Sequence, residues 1–341
     1  MSNTTTLTSL SVVVVPVGGP AFVRRCLTAL LERQDSPIGE IIVTYDAQEM
    51  AYELLAPKFP VAVFMPVTFA PNRDQPSSPE FEYAARHVVY DTLKAQALSV
   101  CQGSVMALIE DTVIPDDDWS TQVLAAHHLP HAVIGGAVEH AGHGLLNWAV
   151  YFMDFGRYAL PLAEGPQQSL TDINVSYKAD VLNANGDLWR QRYHEVGLHV
   201  GLLKRGATLW LRPRMVVRQD RGPLVFREML SERFQWGWVY GAKRAEMVGR
   251  LTRVVLVVFS PAIPLIRMAR LALKVLAGKK DRLRFLVALP HLLSLTLAWS
   301  FGELYGYVRP TIRDTRPQLA SRYLPPSPLK PATTEPERHE Q

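Results

Sequence analysis

The chain has 341 residues, of which 48% are hydrophobic, and it carries a net charge of +4 and two cysteines, Cys26 and Cys101. This length is enough for one large domain with an appendage, or for two domains, each with a full apolar core. Two cysteines in apolar segments exclude a disulfide framework and a CxxC metal site, and they favour a reducing cytosol.

Strands and helices alternate in the first third of the chain. Short runs of β-branched and apolar residues predict four strands: Ser9–Val17, Glu40–Asp46, Val61–Val67 and 104–111. Apolar residues at helical spacing predict helices between them, at about 20–34, 51–59 and 81–100, with a polar, proline-rich loop over 70–79. This βαβαβ order predicts an α/β fold in which helices cover both faces of a mostly parallel sheet.

Regular alternation ends in the second half of the chain. Segments such as AVIGGAVEH, LTDINVSYKADVL and ATLWLRPRMVVRQD mix strands and loops, so we expect a mixed sheet there. The chain becomes apolar and basic from about Val254, and its proline-rich, polar end is predicted to be disordered. We therefore divide the chain into a flexible N-terminus (1–8), a main domain (9–245), a helical region (246–309) and a disordered tail (310–341).

A predicted buried strand runs directly into a group of acidic residues in the segment VMALIEDTVIPDDDW. The acids are Glu110, Asp111, Asp116, Asp117 and Asp118. Crowded carboxylates repel one another and are costly to remove from water, so a cation or solvent must compensate their charge. The last three acids fit a solvated turn that caps the next helix, with Trp119 packed behind it. Glu110 and Asp111, at the strand end, either face solvent or hold a cation.

The carboxyl ends of the predicted parallel strands are where an open α/β sheet binds ligands. The first strand end lacks both GxGxxG and GxxxxGK[ST], which excludes a conventional dinucleotide cradle and a P-loop. What remains is a nucleotide site in which an acid contacts the base or ribose and a divalent cation carries the phosphates. Oxygen ligands without a His/Cys cluster favour Mg²⁺ or Mn²⁺ over zinc.

The motifs SVVVVPVGG, EIIVTYD and VMALIEDTVIPDDDW together resemble a family 2 glycosyltransferase, whose catalytic domain has the GT-A fold. Later segments resemble the same family in the same order: TDINVSYKADVL, then YHEVGLHVGLLKRGATLWLRP, then RFQWGWVYGAKR. The resemblance covers roughly Ser9 to Arg244. It implies an enzyme that moves a sugar from a nucleoside diphosphate, UDP- or GDP-linked, to an acceptor hydroxyl.

Residues at the donor-binding positions follow from this resemblance. It implies contacts to the nucleotide sugar from Pro16, Val17, Gly18, Asp46, Lys94, Glu110, Asn174 and Arg233. Tyr45 stands where the family has the first of two acids that recognise the base, and Asp46 stands at the second. Lys94 falls where the family often has an arginine, which could face the diphosphate. Arg233 either contacts phosphate or pairs with a neighbouring glutamate.

The resemblance also implies a metal site and a catalytic base. Glu110 and Asp111 match the start of the family's metal-binding acidic triplet, whose third position here is Thr112. Asp111 is the preferred ligand of Mg²⁺ or Mn²⁺, with Glu110 in support, and the cation would stabilise charge on the leaving diphosphate. Glu195 falls at the position of the base, followed by a valine instead of the family's common aspartate, and His199 is the reserve base. One base opposite the leaving group predicts a single displacement with inversion.

Two apolar segments, Val254–Ile266 and Phe285–Phe301, raise the question of a membrane. Both are shorter than the ~20 residues of a spanning helix, and the basic loop GKKDRLR between them would violate the positive-inside rule if both crossed. We therefore expect helices, broken at Pro261, Pro264 and Pro290, that lie on the cytoplasmic face of the cell membrane and meet anionic lipid. Cations interleaved with aliphatic residues favour lipid over nucleic acid. The alternative is a helical appendage that covers the core or forms a dimer.

The sequence thus predicts a metal-dependent, inverting glycosyltransferase at the membrane that extends an envelope polysaccharide or a lipid-linked acceptor. Two alternatives stay open. One is a catalytically inactive GT-A-like protein that binds glycan or a partner at the membrane, an alternative that Thr112 and Val196 favour. The other is a soluble nucleotidyltransferase, which would release pyrophosphate.

Overall fold

The computed structural model describes residues 9–69, 79–260, 262–278 and 280–309. The predicted N-terminus 1–8, most of the predicted loop 70–79, Pro261 and the predicted tail 310–341 lie outside the described residues. Within them the strands are β1 (Leu10–Val15), β2 (Glu40–Asp46), β3 (Ala62–Val67), β4 (Val105–Glu110), β5 (Val113–Pro115), β6 (Val133–His140), β7 (Gly165–Gln167), β8 (Asn174–Lys178) and β9 (Leu209–Gln219). The helices are α1 (Pro20–Glu32), α2 (Met50–Leu55), α3 (Pro79–Val100), α4 (Trp119–Ala126), α5 (Leu145–Phe155), α6 (Ala179–Ala184), α7 (Glu195–Lys204), α8 (Phe226–Met247), α9 (Arg250–Phe259), α10 (Ala262–Gly278) and α11 (Arg282–Val308).

These strands form one sheet in the order β3-β2-β1-β4-β8-β6-β9-β5, with β7 paired to β9. Strands β3, β2, β1 and β4 are parallel to one another, whereas β8 runs antiparallel to both β4 and β6. Strand β6 is parallel to β9, whereas β5 and β7 are antiparallel to β9. The predicted parallel first half and mixed second half are therefore confirmed, and the chain has a mixed α/β fold.

The central strands are buried on both faces. Every residue of β1 is buried, and so are the first five residues of β4. Both strands consist largely of Val, Leu, Ile, Ala and Met, because parallel strands covered on both sides contact apolar side chains everywhere. β1 ends at Val15, two residues before the predicted end, because Pro16 has no amide hydrogen with which to continue the pairing.

The strand register brings distant polar residues to one edge of the sheet. Val15 lies opposite Glu110, and Asp46 ends the neighbouring strand β2. Because β8 runs antiparallel to β4, its first residue, Asn174, lies opposite Ile109 near the end of β4. The β1–α1 loop, the ends of β2 and β4 and the segment before β8 therefore meet at the carboxyl edge of the parallel strands, which we call the acidic edge.

The last helix, α11, packs closely against α8. The two helices cross at glycine pairs, Gly237 and Gly241 on α8 and Gly302 and Gly306 on α11. A Cβ atom on Gly302 would lie 1.9 Å from the carbonyl oxygen of Phe234, so a larger residue would force the backbones apart. α11 also packs on α5, and its buried side chains join the core of the sheet. The predicted domain boundary after residue 245 falls inside α8.

α11 is one continuous helix of 27 residues that passes through Pro290. The predicted break at Pro290 is therefore wrong, because packing against α5 and α8 holds the helix together despite the missing amide hydrogen. Among the described residues, α11 is the single helix long and apolar enough to cross a membrane, and 33% of its apolar window is buried inside the protein. α9 and the residues Pro264–Gly278 of α10 meet the same criterion only as a pair bent by 62°.

Candidate active site

The Asp111 side chain fixes the β1–α1 loop to the end of β4. Its Oδ1 accepts hydrogen bonds from the amides of Val17 and Gly18, both at 2.9 Å, and its Oδ2 accepts from Gly18 and Gly19, both at 3.1 Å. Gly19 has a φ of 104°, a conformation that favours glycine and lets successive amides turn toward one carboxylate. Burial raises the pKa of Asp111 to about 6, although the three amides act in the opposite direction. Asp111 thus holds the loop that is predicted to border the nucleotide.

This geometry contradicts the predicted role of Asp111 as the preferred metal ligand. A carboxylate offers about four acceptor positions, and four hydrogen bonds from backbone amides use them here, in a residue that is fully buried. Coordination of Mg²⁺ or Mn²⁺ would leave those amides without an acceptor. In the part of the chain that the structure describes, no three His, Cys, Asp or Glu side chains are grouped to hold a metal. Asp111 is therefore not available as a metal ligand.

Glu110 is the acid at this edge that stays available to a ligand. Its side chain is half-buried, and within the described residues no hydrogen bond or ion pair engages its carboxylate. Burial and the nearby Asp172 raise the pKa of Glu110 to about 7, while Lys94 acts in the opposite direction. Asp46, also half-buried, accepts a hydrogen bond from the Gln48 amide at 3.0 Å. The structure thus brings these predicted donor-binding residues to one edge: Pro16, Val17, Gly18, Asp46 and Glu110.

Asp172, which the sequence analysis did not assign to the site, lies at the centre of its charged part. Lys94 of α3 forms an ion pair with Asp172, in the turn before β8. Glu195, the first residue of α7, accepts a hydrogen bond from the Asp172 amide at 3.3 Å, and its carboxyl group lies close enough to that of Asp172 for each to shift the pKa of the other. The predicted contact between Lys94 and the diphosphate is therefore contradicted, because Lys94 is buried and the Asp172 carboxylate already engages its ammonium group.

The carboxyl groups of Asp172 and Glu195 influence each other's pKa. Burial raises the pKa of Glu195 well above its usual range, and the charge of Asp172 raises it further. Burial acts on Asp172 in the same direction, but Lys94 and the hydrogen bond from Glu195 outweigh it and lower the pKa of Asp172. The ion pair with Lys94 therefore favours the charged form of Asp172, and the charge of Asp172 favours the protonated form of Glu195. The role of Glu195 as the catalytic base stays a prediction, although this environment disfavours the ionised form that a base needs.

His199, the predicted reserve base, belongs to a buried hydrogen-bonded chain. Its Nδ1 accepts from the Leu170 amide at 3.4 Å, so the neutral ring carries its proton on Nε2, which donates to the Tyr177 hydroxyl at 2.9 Å. The Tyr177 hydroxyl in turn lies 2.6 Å from that of Tyr193. Burial lowers the pKa of His199 to about 4. The prediction is wrong, because both ring nitrogens are engaged and the residue is fully buried.

Asn174 holds three strands together instead of contacting a sugar. Its Oδ1 accepts from the indole of Trp119 at 3.0 Å, and its Nδ2 donates to the carbonyl oxygens of Ala137 and Met215, both at 2.9 Å. The side chain is fully buried, so its amide has no group left for a ligand. The predicted contact to the donor or acceptor is contradicted, whereas Trp119 does pack behind the acidic turn as predicted.

Arg233 lies between helices and not at the acidic edge. Its guanidinium donates to both carboxylate oxygens of Asp154 on α5, each at 2.7 Å, and Glu232 lies 3.5 Å away. The side chain is 1% exposed. This bidentate pair joins α8 to α5. The predicted contact between Arg233 and phosphate is contradicted, because Asp154, 79 residues earlier in the chain, engages the guanidinium.

Two arginines, as well as solvent, compensate the negative charge of the acidic turn after β5. Asp116 pairs with Arg218 on β9 at 2.6 Å, and Asp117 pairs with Arg33 at 2.5 Å. Asp118 precedes α4 at the capping position, but its side chain makes no capping hydrogen bond. These three acids therefore neighbour the site without taking part in it.

Comparison with known proteins finds similarity to solved structures but not to protein families or curated sequences. No family model matches the chain, and no curated protein matches it. Among solved structures, the chain is similar to a mannosyltransferase from Pyrobaculum calidifontis, PcManGT, in complex with GDP-Man and Mn²⁺. The two share 14% sequence identity and a TM-score of 0.47 over 86% of this chain and 87% of that one.

Proposed function

We propose that this protein is a glycosyltransferase of the GT-A type, similar to family 2, that transfers a sugar from a nucleoside-diphosphate sugar to an acceptor hydroxyl. One observation carries the proposal: the loop Val17–Gly19, fixed by Asp111, shares one sheet edge with the carboxyl groups of Glu110, Asp172 and Glu195. Loops at the carboxyl ends of parallel strands commonly bind nucleotides. A carboxylate beside such a loop can accept the proton of an acceptor hydroxyl. The order of the sequence motifs supports the same reaction.

The donor is a nucleoside diphosphate linked to a sugar, with UDP and GDP as the first candidates. The loop Pro16–Gly18 borders the base, and Asp46, at the end of the adjacent strand, reaches the nucleoside. Arg221 replaces Lys94 as the cation we assign to the diphosphate. It lies close enough to Glu110 to interact with its charge, and its hydrogen bonds to Glu232 are long, at 3.3 and 3.4 Å.

The proposed reaction is a single displacement. The acceptor oxygen forms a bond to the anomeric carbon while the bond from that carbon to the diphosphate oxygen breaks, and the electron pair leaves with the diphosphate. The acceptor proton passes to a carboxylate at the acidic edge. Attack opposite the leaving group inverts the anomeric centre. Dependence on Mg²⁺ or Mn²⁺ stays a prediction, and the donor assay below tests it.

The helical region supports the proposal that the enzyme works on the cytoplasmic face of a membrane. Large apolar side chains are exposed on all three C-terminal helices: Leu251, Val254, Val258 and Phe259 on α9, Leu265, Ile266 and Leu273 on α10, and Leu283, Leu286, Val287, Leu297 and Phe301 on α11. Single exposed apolar residues are ordinary, but a surface with this many suits an apolar partner.

Exposed cations on the same helices indicate which apolar partner fits. They are Arg250 on α9, Arg267 and Arg270 on α10, and Arg282 and Arg284 on α11, and Lys280 lies on the turn between α10 and α11. A surface that combines aliphatic side chains with lysine and arginine complements an anionic lipid bilayer, whose head groups attract the cations while its acyl region takes up the apolar residues. A lipid-linked or polysaccharide acceptor follows from this location.

A donor-turnover assay tests the proposal against its two alternatives. The full-length protein is incubated with UDP-, GDP-, TDP- and CDP-sugars, with Mn²⁺ or with EDTA, and the nucleotide products are separated. Release of nucleoside diphosphate supports the glycosyltransferase, and its loss in EDTA supports metal dependence. Release of pyrophosphate from a nucleoside triphosphate and sugar phosphate supports the nucleotidyltransferase. Binding of a donor without turnover supports the catalytically inactive protein.

A further inference from the structure

Three structural elements converge on the Asp172 carboxylate. Lys94 reaches it from α3, Glu195 from the start of α7, and Glu110 lies nearby at the end of β4. The Lys94 side chain is 6% exposed, whereas that of Asp172 is 17% exposed. The Asp172 carboxylate is therefore half-buried and more accessible to solvent than the ammonium group that it engages.

Glu195 contacts Asp172 at two points. One oxygen accepts from the Asp172 amide at 3.3 Å, and the Glu195 carboxyl group lies close enough to the Asp172 carboxylate for the two groups to interact. One helical turn later, His199 accepts from the Leu170 amide and so fixes the chain just before Asp172. α7 therefore holds both the backbone and the side chain of Asp172 in place, which is the arrangement expected of positioning residues.

We propose that Asp172, and not Glu195, accepts the proton of the acceptor hydroxyl, with Glu195 and Lys94 as the residues that position it. This inference rests on the proposed function. In the step, the acceptor O–H bond breaks, its oxygen bonds to the anomeric carbon, the diphosphate leaves with the electron pair of the broken bond, and the proton forms an O–H bond on Asp172. The residue after Glu195 is Val196, which has no carboxyl group to offer.

The charged and titratable groups that face Asp172 predict how each variant responds to pH. They are Lys94 and His87 on α3, Glu195 and His199 on α7, Tyr193 and His194 just before α7, and Glu110 on β4. Lys94 favours the ionised form of Asp172, so in Lys94→Gln the acidic limb of the pH profile of kcat/KM moves to higher pH. A purely structural role of Lys94 would lower the amount of folded enzyme and leave that limb in place.

Two isosteric variants separate the two candidate bases, with turnover of the donor as the readout. In Asp172→Asn the carboxylate is lost, and we expect kcat to fall by about 100-fold or more. In Glu195→Gln the amide can still donate to Asp172 and accept from its backbone, so we expect kcat within about tenfold of the wild type. Asp180→Asn, an exposed acid on α6, is the matched control and keeps full activity.

The outcomes distinguish this inference from the proposed function. Full activity in Asp172→Asn, or loss of about 100-fold in Glu195→Gln with an unchanged melting temperature, would overturn the inference and leave the glycosyltransferase intact. An inactive wild type with every donor would overturn the proposed function instead. If Asp172→Asn does not fold because Lys94 loses its partner, Glu195→Gln alone decides, because glutamine keeps the size of the Glu195 side chain and an oxygen that accepts from the Asp172 amide.

Discussion

Both carboxylate oxygens of Asp111 accept a hydrogen bond from the single backbone amide of Gly18, at 2.9 and 3.1 Å. Together with the amides of Val17 and Gly19, this contact makes a buried carboxylate the anchor of the loop that we assign to the nucleotide. A residue expected to bind a cation is thus satisfied by the protein itself. Substitution of Asp111 should therefore lower the stability of the protein.

In Asp111→Asn we expect the free energy of unfolding to fall by about 1–3 kcal/mol, measured by urea denaturation. Asparagine has one acceptor oxygen, and its NH₂ group would face an amide hydrogen of the loop. Asp118→Asn, in the same acidic segment but half-buried, is the control and should change stability by less than about 0.5 kcal/mol. Equal stability of Asp111→Asn and the wild type would contradict the anchoring role.

The raised pKa of Glu110 makes stability depend on pH. Because its folded-state pKa is about 7, above the ordinary value for glutamate, the folded protein keeps a proton that the unfolded chain releases. The stability of the folded protein therefore falls as pH rises from the ordinary pKa of glutamate to about 7, and it levels off at higher pH. Glu110→Gln removes this component, so the variant should gain stability relative to the wild type at pH 8 and not at pH 4. Urea denaturation with EDTA at both pH values measures the difference, and the same difference at both would refute the assignment.

Arg233 should matter for folding and not for donor binding. Arg233→Met leaves Asp154 buried without its cation, and we expect a loss of about 3–5 kcal/mol in the free energy of unfolding. The double variant Arg233→Met with Asp154→Leu should recover at least half of that loss, because no carboxylate then remains uncompensated. The KM for donor should be unchanged per folded molecule. A large rise in KM with little loss of stability would instead support the predicted contact between Arg233 and phosphate.

The exposed face of α9–α11 should direct binding to anionic vesicles. We expect the protein to sediment with phosphatidylcholine vesicles that contain phosphatidylserine, less with phosphatidylcholine alone, and less at high salt. Leu251→Glu with Leu265→Glu should abolish sedimentation, since both side chains are strongly exposed, at 80% and 70%. Leu54→Glu is the control, because Leu54 is 76% exposed but lies on α2. Salt-dependent dimerisation without vesicle binding would favour a second copy as the partner.

The layout of the sheet could be predicted from the sequence, whereas most partners of the polar residues could not. Runs such as SVVVV and VMALI have one reasonable structure, a strand buried on both faces, and their ends predict where polar residues collect. That reasoning located Pro16, Asp46 and Glu110 at one edge. It could not show that Asp111 points back at the β1–α1 loop, because this depends on the shape of a glycine turn 92 residues earlier.

Asp172 was missed for a related reason. An acid before a strand carries no signal of its own, and its meeting with Lys94 and Glu195 depends on the antiparallel pairing of β8 with β4. The family resemblance assigns Asn174 and Arg233 to the site. In the structure, however, Asn174 is hydrogen-bonded to Trp119 and Arg233 to Asp154, and no local sequence pattern identifies these partners. Burial, more than residue type, decides which polar groups remain for a ligand.

The most direct measurement is backbone hydrogen exchange of the full-length protein with and without each nucleoside diphosphate. We predict that one of UDP, GDP, TDP or CDP slows exchange in peptides that cover residues 15–22 and 105–112. Peptides from α8 that contain Arg233 should not change. Protection confined to other segments, or none with any of the four nucleotides, would contradict a nucleotide-sugar site at the acidic edge.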